Sequence, residues 1–227
     1  MNTYLFIWKI KRSDIWRALG HMALDRRVLQ SSKDISFFKL LGTGTGERFT
    51  PRDADSKTWA LLVNSDLTLE ELNLTKPLRS WRRFALHQES YTLTPIASHG
   101  AWGGIEPFTS HQMQGWDGEI AAITRAKIKW HRNLRFWRAV PAVTQTLHDS
   151  PGLIRAFGIG EAPIGLQGTF SHWRSGKDLR DFAYKSDSHQ RAISLTAELA
   201  WYSEELFARF AIIGHQSATL SHGTETH

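Results

Sequence analysis

The chain has 227 residues and no cysteine. That absence excludes a disulfide framework, a thiolate zinc site, an iron–sulfur cluster and a thiolate-ligated haem. Any metal must be held by His, carboxylate or Tyr, and 11 histidines are available. Long apolar runs are missing too; none approaches the ~20 residues a membrane-spanning helix needs. The N-terminal residues lack a charged region ahead of their apolar stretch and lack a small-residue cleavage site. They read as a first strand and not as a signal peptide, so a cytoplasmic location is expected. No HExxH marks a zinc hydrolase and no GxSxG marks a nucleophile. Gly42-x-Gly44-x-Gly46 departs from the dinucleotide fingerprint, because no helix of the required spacing follows it, and reads as a structural turn.

What is present fits a globular protein with a real core: 41% hydrophobic and 22% charged residues. The net charge of +6 leaves open a solvated basic surface, an acidic redox partner or contact with anionic lipid. No nucleic-acid motif is found, so no nucleic-acid partner is expected. Membrane contact is expected to be peripheral at most. Ten tryptophans and 12 phenylalanines suit a packed core, and equally the walls of a cavity for a flat or elongated apolar ligand.

The chain repeats itself. Ile15-Trp16-Arg17-Ala18-Leu19 resembles Phe136-Trp137-Arg138-Ala139-Val140. Gly42-Thr43-Gly44 resembles Gly158-Ile159-Gly160, and Arg83-Phe84-Ala85 loosely resembles Asp181-Phe182-Ala183. The shared order points to a duplication. Alternation and capping signals predict strands over 4–10, 35–41 and 58–63 and helices over 13–29 and 77–89. In the second half they predict strands over 120–128, 153–159, 168–173 and 206–213, and helices over 133–148 and 177–204. Each half reads as β-α-β-β-α-β, the ferredoxin-like plan. The expected fold class is α+β: two tandem ferredoxin-like halves, 1–93 and 119–215, forming one α+β barrel. A connecting loop spans 94–118 and a disordered tail spans 216–227. The barrel closes within one chain or across a homodimer.

Among the histidines, His189 stands apart. Ser186-Asp187-Ser188 reads as a helix cap, and helical steps from His189 reach Ile193, Thr196 and Ala200. His189 thus falls on the apolar face, either as a packed core imidazole or as a ligand. Aligning Phe84 with Phe182 without a gap sets Tyr91 opposite His189. Arg125 and Lys127 share a strand face with Ile123.

Several motifs, taken in order, resemble the spheroidene monooxygenase family of carotenoid biosynthesis. They are Trp102-x-Gly104-x-x-Pro107-Phe108, Trp116-x-Gly118, Thr124-Arg125-Ala126-x-Ile128 and Phe136-Trp137-x-x-Val140-Pro141. Next come Gly158-Ile159-Gly160-Glu161 and Gln167-x-Thr169-Phe170-Ser171-x-Trp173. Phe182-Ala183-Tyr184 with His189 and the closing 204–210 segment complete the set. The resemblance implies a haem-dependent monooxygenase that inserts oxygen from O2 into an acyclic carotenoid to give a ketone. It further implies haem b with His189 as iron ligand and a ferredoxin-type electron donor. Arg125 becomes a catalytic distal donor or a haem-propionate partner, against a bland strand-edge role. Trp137, Phe170 and Trp173 become pocket walls, against ordinary packing. The alternatives are a haem enzyme acting on a nitrogen-containing small molecule, a haem- or lipophile-binding protein without turnover, and a cofactorless α+β-barrel oxygenase.

Overall fold

The computed structural model describes residues 1–45, 53–109, 115–128, 147–161, 168–185 and 202–220. The first half runs β1 (Asn2–Ile10), α1 (Ile15–Ser31), β2 (Ile35–Gly44), β3 (Ala54–Ser65), α2 (Leu69–Leu74), α3 (Lys76–Arg82) and β4 (Ala85–Gly100). The second contributes β5 (Ile120–Ile128), β6 (Leu153–Gly160), β7 (Gly168–Trp173), α4 (Gly176–Lys185) and β8 (Tyr202–Thr219). The strands close into one barrel in the order β1-β3-β2-β6-β7-β5-β8-β4. Each half keeps its own four-strand order, β4-β1-β3-β2 and β8-β5-β7-β6, which is the ferredoxin-like arrangement. The barrel therefore closes within one chain, with both seams made between equivalent strands.

The seams bear out the Gly-x-Gly repeat. Gly42, Thr43 and Gly44 pair with Gly160, Ile159 and Gly158, so the two motifs face each other across a pseudo-twofold axis. At the other seam Leu93 pairs with Ile212. Tracing registers from Leu41 and Phe157 gives Ala60 matching Phe170, Ile7 matching Ile123, and Glu89 matching Ala208. Leu93 lies four residues beyond Glu89 and Ile212 four beyond Ala208, so the second seam also joins matching positions.

Two cores result. Leu5, Ile7, Leu41, Leu62, Ile123, Phe157, Phe170 and Phe210 point into the barrel. Tyr4, Phe6, Trp8 and Ile10 point outward, under the first-half helices. Because both faces of β1 are buried, it reads as a continuous apolar run and not as an alternating strand. Trp8 stacks on Trp81 of α3 at 5.0 Å, and each indole N–H finds an acceptor: Gln88 Oε1 at 2.8 Å and Asp25 Oδ2 at 3.0 Å. No helix among the described residues is long and apolar enough to cross a membrane.

Several expected boundaries move. The helix predicted over 77–89 stops at Arg82, because residues from Ala85 adopt a strand that turns Glu89, Tyr91 and Leu93 inward. That strand takes in the first residues of the 94–118 loop. Its residues 101–109 fold over one barrel mouth: Trp102 and Phe108 are buried, and Asn64 Nδ2 donates to the Pro107 carbonyl at 2.6 Å. Gly100 is left-handed at the turn into this plug, with φ of 88°, and a Cβ there would meet the Glu205 carbonyl oxygen. The helix expected over 177–204 has ended before Tyr202, where β8 begins. β8 runs to Thr219, so the first residues of the expected tail pair with β4. The match of Tyr91 with His189 is overturned, since Tyr91 lies on β4 and its counterpart by register is Phe210 of β8. The helix expected over 133–148 falls largely outside the described residues.

Candidate functional site

The barrel interior has two polar ends. At the plugged end stands Arg125, inside the barrel and 5% exposed. Its guanidinium pairs with the Glu204 carboxylate and, at 3.2 Å, with Glu161, and lies over the Trp102 ring at 5.3 Å. Glu161 also accepts from Trp102 Nε1 at 2.6 Å and from Lys39 Nζ at 3.0 Å. Glu204 accepts from the backbone N–H groups of Gly103 and Gly104 at 2.9 and 2.6 Å. Burial opposes the ionisation of Glu204, but these two amides and Arg125 outweigh it and hold its pKa down at about 2. Glu161 is likewise lowered against its burial, by Trp102, Lys39 and Arg125. Two cations and two carboxylates thus latch the plug to the barrel. Arg125, expected as a distal donor or propionate partner, stands here between two carboxylates, with its Nε buried and without a hydrogen-bond partner.

The opposite end was missed by sequence reasoning. His172, 3% exposed, projects inward from β7, and its Nε2 lies 2.9 Å from Glu119 Oε2. Its Nδ1 is buried without a hydrogen-bond partner. The Tyr91 ring meets His172 edge-on at 5.5 Å and stacks on His215 at 4.2 Å. Glu89 pairs with Arg155 beside them. Burial lowers the His172 pKa, partly offset by Glu119, which keeps the ring neutral at pH 7. Burial and the Glu89 charge push Tyr91 up to about 12, against the pull of Arg155. The available signal was parity: His172 alternates with Phe170 and must share its inward face.

Phe170 and Trp173 lie on opposite faces of β7, so they cannot line one pocket. Phe170 packs in the barrel between Tyr91 and Phe157, with ring centroids at 5.3 and 5.1 Å. Trp173 faces outward, meets Phe182 of α4 at 5.3 Å and donates to Ser171 Oγ at 2.9 Å. Phe170 is thus part of the barrel core in this structure. Trp137 and His189 lie outside the described residues.

The outward face of the second half differs from that of the first. By register, Phe6 is matched by Ala122, Trp8 by Thr124, Trp59 by Thr169, Leu61 by Ser171 and Leu40 by Ala156. In the first half these five side chains are at most 3% exposed and fill the layer between sheet and helices. In the second half all five are small, and Thr124 is exposed. Among the described strand residues the large side chain on this face is at its end, where Trp173 stands in the place of Val63. The result is a shallow apolar floor with hydroxyls at Thr124, Thr169 and Ser171. Among the described residues no three His or carboxylate side chains converge to hold a bare ion. A haem asks less of the protein, a single axial side chain and a flat apolar slot.

The fold is a single-chain α+β barrel, and aldoxime dehydratases share it. An aldoxime dehydratase in complex with butyraldoxime matches 97% of this chain and 82% of its own, with a TM-score of 0.59 and 12% identity. A second aldoxime dehydratase structure gives a TM-score of 0.55 over 97% of this chain and 84% of its own, also at 12% identity. At such identities the likeness is one of fold. No family model matches the sequence.

By sequence the chain belongs to the spheroidene monooxygenase family. It is 34% identical to the spheroidene monooxygenase of Rhodobacter capsulatus, over 88% of this chain and 85% of that protein. It is 32% identical to that of Cereibacter sphaeroides, over 88% of this chain and 62% of that protein. Membership makes it an oxidoreductase of the oxygenase class.

Proposed function

We propose that the chain is a haem b-dependent monooxygenase that oxidises an activated methylene of an acyclic, spheroidene-like carotenoid to a ketone. The observation that carries this reading is the matched replacement of Phe6, Trp8, Trp59, Leu61 and Leu40 by Ala122, Thr124, Thr169, Ser171 and Ala156. Aromatic side chains bury roughly 150–250 Å² each. Removing three of them from one layer frees room for a flat or elongated apolar group. The family relationship supplies the reaction class.

The floor residues fit a haem in chemistry, being small, apolar at Ala122 and Ala156, and hydroxylated at the edges. His189 would hold the haem iron and Trp137 would form a wall. When bound, haem iron supplies dioxygen binding and reductive activation. The chain's own part is to exclude water from this layer, to seat the polyene against the floor, and to close one end with Trp173. Arg125 and the plug hold the barrel that carries the floor. Converting a methylene to a ketone takes two successive oxygen insertions. Each consumes one O2, two electrons and two protons and releases one water, and the resulting geminal diol loses a further water. The electrons are proposed to come from a ferredoxin-type donor.

The test is spectroscopic. Protein purified after haem supplementation should show a Soret band that shifts on dithionite reduction and again on adding carbon monoxide. His189→Ala should lose or alter that spectrum. Thr124→Trp, which rebuilds the first-half filling, should remain folded yet retain no haem. Co-expression with an acyclic-carotenoid pathway should yield ketocarotenoids. Full haem loading in both variants would overturn the placement, and good loading with unchanged pigment would overturn the substrate.

A further inference from the structure

We propose that the outer face of α1 and α3 is a docking surface for an anionic lipid bilayer. The two helices lie side by side over the first-half sheet. Trp81 of α3 donates to Asp25 of α1 at 3.0 Å, and the His21 ring lies 5.4 Å from Phe84. Their outward faces therefore look the same way.

That face carries apolar residues where a solvent-facing helix should be polar. Trp16 is 83% exposed, Leu24 68% and Val28 38%. Helical spacing places Trp16 and Leu24 on the side away from the buried Ala18, Asp25 and Leu29, with Val28 at its edge. The other large exposed apolar side chains are scattered over the molecule, so this stripe is the concentrated one among the described residues.

The charge around the stripe is predominantly positive. Arg27 lies beside it on α1 and Arg79 and Arg82 extend it on α3, all exposed, while Arg17 on α1 is exposed with its guanidinium 4.7 Å over the Phe84 ring. Among the described residues none of the four has a carboxylate within salt-bridge distance. Between Lys11 and Ser31 the carboxylates are Asp14 and Asp25, and Asp25 is turned inward to Trp81 and His21. An exposed indole beside a helix with unpaired arginines matches the interface of a bilayer with anionic headgroups. There the indole sits at the acyl boundary and the guanidinium groups reach the phosphates.

An acidic protein partner would satisfy the arginines but not the stripe. The solvent side of a helix is convex and offers no recess for a partner's side chains, whereas lipid rearranges around a protruding ring. A lipid surface is also where long polyenes dissolve, although the surface is inferred here without reference to cofactor or substrate.

The experiment is sedimentation of the full chain with vesicles of phosphatidylcholine alone or mixed with phosphatidylglycerol. Binding is expected only with phosphatidylglycerol and should weaken as salt rises. Trp16→Ser, at a position too exposed to affect folding, should weaken it about tenfold. Arg27→Glu combined with Arg79→Glu should weaken it more than tenfold, each lost basic residue counting about fivefold. Arg174→Glu, one charge reversal against the pair's two, at an exposed position of the second half, should leave binding unchanged. The proposal is overturned if Trp16→Ser binds like the parent or if both vesicle types bind alike. It is also overturned if Arg174→Glu weakens binding as much as the paired change. Binding to polyglutamate but not to vesicles would overturn it in favour of an acidic protein.

Discussion

Phe6, Trp8 and Trp59 fill the layer beneath α1 and α3, while Ala122, Thr124 and Thr169 occupy the matching positions of the second half. The backbone registers at these positions are the same, so strand geometry does not account for the difference. What differs is the task of the layer. In the first half it is a hydrophobic core that anchors the helices. In the second half the strands carry small residues at these positions. Under the proposed function one copy of the duplicated fold serves stability and the other seats the ligand.

This contrast can be broken most strongly at its largest side chain. Trp8→Thr, which gives the first half the second half's residue, should cost about 3–5 kcal/mol in denaturant unfolding. It also leaves the buried Gln88 carbonyl without its donor. The reciprocal Thr124→Trp should change stability far less and act on haem retention. Equal destabilisation by the two changes would refute the division of labour.

Next in size is the latch. Arg125→Met leaves Glu161 and Glu204 facing each other without their shared cation. A loss of about 2–4 kcal/mol is expected, below that of a fully buried pair because both carboxylates keep some solvent. The latch also sets a pH dependence. The folded pKa of Glu204 lies at about 2, below its ordinary value of 4.5. Its contribution is therefore complete above about pH 5 and is lost as the pH falls toward 2. Unfolding measured between pH 6 and pH 2 should show this slope in the parent and a shallower one in Arg125→Met.

His172 gives a separate signature at higher pH. Its folded pKa is lowered, so the unfolded chain binds the proton first and stability falls as pH drops below 6.5. His172→Phe should remove that part of the slope and leave the acid limb of Glu204 intact. The smallest effect belongs to the capping box of α2, where Thr68 accepts from the Glu71 N–H and Glu71 accepts from the Thr68 N–H. Thr68→Ala should cost about 1 kcal/mol and leave haem loading untouched, since it lies in the first half, away from the proposed floor.

Much of the fold was legible because it rests on local periodicity. The strand at 120–128 and the strand at 168–173 have the expected bounds, and the Gly-x-Gly repeat marks equivalent strands. β4 was misread where Leu86–Ser90 mixes polar and apolar residues without a clean period. Its inward Glu89 and Tyr91 are polar because they meet Arg155 and His215, partners more than 60 residues away. The site was legible only in part. Arg125 was correctly placed on the face of Ile123, but its engagement with Glu161 and Glu204 depends on how the plug folds back.

By itself the sequence determined the duplicated α+β plan, the absence of thiolate chemistry and the family of oxygenases to which the chain belongs. These follow from composition, period and motif, which are properties of neighbours along the chain. Only the tertiary structure decided that the barrel closes within one chain, that Arg125 is spent on a latch, and that Phe170 and Trp173 face opposite ways. It also decided which half keeps its aromatic filling. The physical reason is that a closed barrel sets residues from distant strands opposite one another, and the use of a charge or a gap depends on what stands across from it.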